Sequence, residues 1–191
     1  MKHGLKAKLK RDASALRKEL GLRPTDPLDS FTLCECLGLE VLSFADLRVC
    51  MNLPEEMFRP LYENQKGQVI SALMVRRPVG EVVVYNESHP PVRIQSSIAH
   101  EVSHHLCGHE AMTYSNAESE FFRGNSSDED EEANHLAGYL LMPREGILSL
   151  AIEGFKIPQL ADNYNVSTQM ARWRYNTSGV ARQIKARGGW R

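Results

Sequence analysis

Apolar positions recur along this chain with two periods, and the switches between them mark its elements. Leu5, Leu9, Leu16 and Leu20, spaced among lysines and arginines, predict an amphipathic helix over 5–20 that stops at Gly21. Residues 28–37 predict a second helix, stopped at Gly38, and 39–42 alternate as a first strand. Residues 45–66 are ambiguous, because Pro54 and Pro60 break any long element. Two strand-like runs follow at 69–75 and 81–85, joined over 76–80 by a turn containing Pro78 and Gly80. Ile94, Ile98, Val102 and Leu106 then recur every four residues, as one stripe of a helix opened by Pro90-Pro91 and closed by Gly108. From 109 to 127 the chain is polar and reads as a loop with a short helix at 115–122. Ser126 with Glu129, or Ser127 with Asp130, offers a capping box for the next helix. The buried face of that helix is Ala133, Leu136, Ala137 and Leu140, and Pro143 ends it. Short helices over 144–153, 158–164 and 167–175 precede a basic tail.

The striped helix carries the chemistry. His100-Glu101-Val102-Ser103-His104 is an H-E-x-x-H sequence. Two histidines four apart on a helix sit about 40° apart around its axis, so both can reach one Zn²⁺. Glu101 projects beside them, where it can take a proton from a water that the metal activates. On a helical wheel the histidines turn away from the centre of the stripe and Glu101 lies at its margin. One face therefore packs into the core while the other presents a metal site.

A catalytic zinc takes three protein ligands and keeps a fourth position open. The metzincin continuation is excluded, since Cys107 stands where that pattern needs glycine and Glu110 where it needs histidine. His105 turns toward the apolar stripe and His109 lies past the helix stop, so each is expected beside the metal or at the surface rather than on it. A carboxylate from the following helix is the other source. Within the acidic run 128–132, Glu129 and Glu132 lie on or beside the buried face, while Glu131 points away. A carboxylate on an apolar face needs a partner, and a metal would serve.

Charge and cysteine content narrow the class. The formal net charge of the 191 residues is −1, so bulk electrostatics does not favour nucleic acid. The charge is unevenly spread. The first twenty residues hold seven Lys/Arg against two acids, and six Lys/Arg with no acid lie from Arg172 onward. Such runs usually mark a solvated face. Cys34, Cys36, Cys50 and Cys107 form no C-x-x-C pair, which argues against a zinc ribbon. They read as reduced, mostly buried thiols of a cytoplasmic protein. No apolar run reaches the ~18–20 residues that span a bilayer, and the N-terminus lacks the apolar core of a secretory signal.

The H-E-x-x-H sequence, followed by Glu132-Ala133-Asn134-His135-Leu136-Ala137-Gly138-Tyr139-Leu140-Leu141-Met142-Pro143, resembles the ImmA/IrrE zinc metallopeptidases. Their pattern is approximately H-E-L-G-H and then E-A-N-x-F-A-x-x-L-L-M-P. Here Val102-Ser103 replaces Leu-Gly and Leu136 replaces Phe, with the ligand types intact. The strand 82–85 leading to Asn86 also fits. The resemblance covers 82–143 well and about 15–175 loosely.

It implies an α+β fold, a small zincin-like metallopeptidase domain, here 1–143, and residues 144–191 read from their own pattern as a helical, helix-turn-helix-like subdomain with a basic tail. It implies Zn²⁺ on His100, His104 and Glu132, the glutamate directly before Ala-Asn, with Glu101 as general base. It also implies a protein substrate, a helix-turn-helix repressor whose cleavage releases stress or mobile-element genes. An oxyanion donor is expected among His105, His109, Tyr114 and Tyr139.

Two other functions compete. Residues 160–171 have the look of a helix-turn-helix, and Arg172, Arg174, Arg182, Lys185 and Arg187 would then meet phosphates. The other is a non-catalytic metal-binding module that sequesters its partner.

Overall fold

The computed structural model of the chain describes residues 4–52, 54, 56, 70–77, 80–110, 112–115, 120–122 and 127–188. In order they form helix α1 (Leu5–Glu19), α2 (Ser30–Cys36), strand β1 (Glu40–Ser43), α3 (Phe44–Met51), β2 (Ala72–Arg76), β3 (Glu81–Tyr85) and α4 (Pro91–Cys107). Then come β4 (Met112–Ser115), β5 (Glu120–Phe122), α5 (Ser127–Leu141), α6 (Arg144–Ile152), α7 (Ile157–Asn163), α8 (Thr168–Thr177) and α9 (Val180–Ala186). This is a mixed α+β protein. Contacts group the chain into two compact units, one spanning Ser30–Ala133 and the other holding the described residues before and after it. The boundary falls inside α5.

The first unit is built on a five-stranded sheet in the order β1-β3-β2-β4-β5. β2 and β3 form the antiparallel centre, with Leu73 opposite Val84, Met74 opposite Val83 and Val75 opposite Val82. Strand side chains alternate between faces, so this register sorts them into two sets. Leu73, Val75, Val82 and Val84 pack with Phe44 and Leu47 of α3 in one buried cluster. Val83 and Met74 fall on the opposite face, and α4 packs along β2 and β3. Ile98 and Val102 of the predicted stripe are wholly buried, whereas Leu106 at its end is exposed. Pro91 occupies the first turn of α4 and Gly108, with φ 75°, ends it, as the sequence predicts.

Two stretches differ from the sequence reading. Within the ambiguous 45–66, α3 runs from Phe44 to Met51. It opens with a capping box in which Ser43 Oγ accepts from the Asp46 amide at 3.0 Å and Asp46 Oδ2 accepts from the Ser43 amide at 3.2 Å. The expected loop with a helix at 115–122 holds strands instead. β4 and β5 pair antiparallel, Tyr114 opposite Phe121, and β4 extends the sheet parallel to β2. Long-range pairing outweighs the local polar composition there. Residues 69, 78–79, 116–119 and 126 of the sequence reading lie outside the described residues. The helix Ser127–Leu141 starts one residue after Ser126, so a cap there also lies outside them.

The second unit is helical. Leu9 and Ala13 of α1 are buried, and so is Arg17 on the same line. Arg17 donates to the carbonyls of Leu140 at 2.6 Å, Arg23 at 2.8 Å and Asp26 at 2.6 Å. Arg174 of α8 is equally buried and donates to the Met142 carbonyl at 2.8 and 3.2 Å. The Leu140 and Met142 carbonyls lie in the last turn of α5 and just past it, where a helix has no internal donors left. Gly138 makes room for this, since a Cβ there would lie 2.6 Å from Arg174 Cδ and 2.7 Å from the Trp173 ring. Gly146 of α6 likewise lies against the Pro24 carbonyl and the Tyr164 hydroxyl, which donates to that carbonyl at 2.9 Å.

The four cysteines form no disulfide. Cys34 is buried, but Cys36 and Cys50 are exposed, against the expectation of mostly buried thiols. Among the described residues no helix is long and apolar enough to cross a membrane.

Candidate metal centre

α4 turns two of its polar side chains toward each other and a third toward the sheet. His100 and His104 lie one turn apart with their Nε2 atoms 3.1 Å from each other. His104 is almost fully buried, and the His100 side chain is 22% exposed. Glu101, 4% exposed, turns toward the sheet, where its Oε2 accepts from the Met74 amide of β2 at 3.1 Å. That bond fixes one carboxylate oxygen of the expected base against β2. β3 leads into this helix through Asn86, whose Oδ1 accepts from both the Ser88 amide at 3.0 Å and the Ser88 hydroxyl at 2.6 Å. The strand-then-Asn approach is thus a closed turn that sets where α4 begins.

The side chain that α5 brings to the pair is Asp130. Its Oδ1 lies 3.3 Å from His104 Nε2 and 4.0 Å from His100 Nε2. This oxygen is buried and accepts no hydrogen bond from the described residues, although the side chain as a whole is half exposed. A buried carboxylate oxygen left in that condition costs free energy unless a cation meets it. For a tetrahedral ion with bonds of about 2.0–2.1 Å, neighbouring donors stand about 3.3–3.4 Å apart. The separations of 3.1 and 3.3 Å come close to two edges of such a face, and the third, 4.0 Å between Asp130 and His100, is longer.

Glu132, expected to join the two histidines, is brought to a different group. It lies with Cys107 and His109, its Oε2 3.7 Å from His109 Nε2. Register is the reason. Two residues along a helix is a turn of about 200°, so Asp130 and Glu132 cannot address one point. Asp130 stands three residues before Ala133 and seven before Ala137, both buried, and so continues their line.

The Peptidase M78 family model, described as the IrrE N-terminal-like domain, matches residues 62–176, more than half of the chain. The chain belongs to this family. No curated protein matches it in sequence comparison. Membership in the peptidase family supports a metallopeptidase-type function with a metal cofactor, and among the described residues two groups could hold one, His100 with His104 and Asp130, and Cys107 with His109 and Glu132.

Within this family frame the remaining histidines and tyrosines separate. His105, next in sequence to His104, is engaged by Glu81 of β3 at 2.7 Å. Burial alone would raise the Glu81 carboxyl, but hydrogen bonds from His105 and Arg76 outweigh it and hold the group below the usual carboxylate range. His109, just beyond Gly108, places its Nδ1 2.9 Å from His104 Nδ1. Tyr139 belongs to the helical unit, with the Arg174 guanidinium 4.8 Å from its ring centre, and burial raises its hydroxyl pKa. The side chain of Tyr114 lies outside the described residues.

Of the five basic residues that DNA binding would use, Arg172, Arg182, Lys185 and Arg187 are exposed. Arg174 is 1% exposed, and burial lowers its pKa to about 10. It is committed to the fold rather than to a phosphate.

Proposed function

We propose that this chain is a zinc-dependent metalloendopeptidase that holds its ion on His100, His104 and Asp130 and uses Glu101 as general base. The observation that carries the reading is the convergence of two imidazole nitrogens and one buried, unsatisfied carboxylate oxygen on a single point. A divalent ion held there supplies Lewis acidity, polarising a peptide carbonyl and making water a nucleophile near neutral pH. Two histidines and one carboxylate suit several divalent metals, and the H-E-x-x-H arrangement of the two histidines favours zinc.

The protein's own residues do the rest. Glu101 accepts the proton of the attacking water and returns it to the leaving amine. Its bond from the Met74 amide keeps the carboxylate oriented between those two transfers. Asp130 would offer its Oδ1 as the third ligand atom.

The substrate class comes from the resemblance to ImmA/IrrE peptidases. It is a helix-turn-helix repressor in the cytoplasm, whose cleavage releases stress or mobile-element genes. The test pairs elemental analysis with cleavage of candidate repressors. The wild type and Glu101→Gln should each hold about one zinc per chain, and only the wild type should cleave. Undiminished cleavage by Glu101→Gln, or no metal after reconstitution, would remove the mechanism.

A further inference from the structure

His104 is flanked on both of its ring nitrogens by another imidazole. Its Nε2 lies 3.1 Å from His100 Nε2, and its Nδ1 lies 2.9 Å from His109 Nδ1. A neutral imidazole has one N–H, so these two contacts cannot both be hydrogen bonds donated by His104. With the metal site proposed above, on which this inference rests, the ambiguity disappears. A lone pair on Nε2 faces the ion, and the only hydrogen of His104 must sit on Nδ1.

From there the protons are determined one ring further. His104 Nδ1–H points at His109 Nδ1, which must accept and therefore carries no hydrogen. The hydrogen of neutral His109 is forced onto Nε2, the atom that stands 3.7 Å from Glu132 Oε2. That separation is too long for a hydrogen bond as it stands, but a carboxylate there favours the Nε2–H tautomer electrostatically. The His109 side chain is 8% exposed and that of Glu132 21%, so water screens the pair only in part. The same tautomer assignment needs no net change in the number of protons.

We infer that His109 is a positioning residue for the metal site. It holds the ring of His104 by accepting from Nδ1, and Glu132 is the outer carboxylate that favours the resulting tautomer of His109. Metal ligands are commonly oriented by an acceptor on the distal ring nitrogen, and loss of that acceptor weakens metal binding by about 10–100-fold. Here the acceptor is a second imidazole, and the carboxylate sits one residue further out. This gives Glu132 a role without making it a ligand. It also accounts for the placement of His109 just past the stop at Gly108. There the chain has left the helix, and the ring can approach His104 from outside its axis.

The experiment measures zinc affinity by competition with a chelating indicator, and reads the imidazole tautomers of the zinc-loaded wild type by ¹⁵N NMR. His109→Ala should bind about 10–100-fold more weakly. His109→Asn, whose side-chain carbonyl can accept from His104 Nδ1, should recover most of that loss, and Glu132→Ala should lose less than about tenfold. Every one of these variants should keep a stoichiometry near one. In the loaded wild type, His109 should be the Nε2–H tautomer.

The proposal is overturned if His109→Ala binds as the wild type does, if His109→Asn is no better than His109→Ala, or if His109 carries its hydrogen on Nδ1. It is overturned as well if Co²⁺ loading gives a thiolate-to-metal charge-transfer band that Cys107→Ser abolishes. Cys107, His109 and Glu132 would then hold an ion of their own. Failure of the underlying site is distinct from all of these. In that case Asp130→Ala would retain the zinc affinity of the wild type, or the wild type would bind no metal.

Discussion

At the N-terminal end of α5, Asp130 turns a buried oxygen with no hydrogen bond from the described residues toward two imidazoles. At the other end, two buried arginines donate to the Leu140 and Met142 carbonyls. Arg17 and Arg174 are buried whole, whereas only one oxygen of the half-exposed Asp130 is, and both regions lie on or next to one helix. They differ in whether the charge is answered from within the chain. Arg17 and Arg174 have their partners, and neighbouring carbonyls together with the helix's own partial negative charge suit a cation. Asp130 sits near the positive end of the helix, and none of the described residues donates to its buried oxygen. The contrast separates a fastening from a binding site. A satisfied buried charge holds structure, and an unsatisfied one marks where something else belongs.

Substitutions at the fastened end should act on stability and leave metal untouched. Gly146→Ala should have the largest effect, because the added carbon meets the Pro24 backbone carbonyl, which has little freedom to move. The expected cost is above about 3 kcal/mol, read as a lowered urea midpoint or loss of soluble protein. Arg174→Met should follow at about 2–3 kcal/mol, since it strips the donors from the buried Met142 carbonyl. Zinc content per folded chain should stay at the wild-type value in both. If either lost its zinc while still folded, the two ends of α5 would not be separable.

The opposite pattern is expected at the other end. Asp130→Ala should lose stoichiometric zinc, with the melting point of the metal-free protein shifted by no more than a change of about 0.5 kcal/mol would produce. The smallest effect belongs to Glu81→Gln, which removes the carboxylate that holds His105. Glu81 is depressed in the folded protein, so its contribution is present above the unfolded carboxyl range near ~4.3 and fades as pH falls through the lower folded value. The variant should be less stable than wild type by under about 1 kcal/mol at neutral pH, and the two should converge in acid. Denaturation curves near neutral pH and in acid well below the carboxyl range would check this, with zinc affinity unchanged.

Much of this fold is legible locally. The burial of Ile98 and Val102, the proline start and glycine stop of α4, and the end of α5 before Pro143 come from periodicity and backbone chemistry. α3 is harder to read. Ser43 and Asp46 carry the capping spacing, but the helix they open is only two turns long and Pro54 and Pro60 interrupt the pattern beyond it. β4 and β5 depend on pairing with distant residues, which composition does not record. Within the acidic run, charge alone does not choose a carboxylate. The wheel favours Glu129 and Glu132, and only the three-dimensional packing shows that Asp130 is the one grouped with His100 and His104. The burial of Arg17 and Arg174 is also out of reach of the sequence, since a lysine- or arginine-rich helix gives no local sign that one of its cations is turned inward.

The acidic run 128–132 looks uniform as text, yet it should not drift uniformly. In a saturation scan selected for function, position 130 should accept almost no replacement and position 132 a restricted set. Positions 128 and 131, both exposed, should accept nearly any residue compatible with a helix. Adjacent acids would then show unequal tolerances, because a helix deals neighbouring codons to different surroundings.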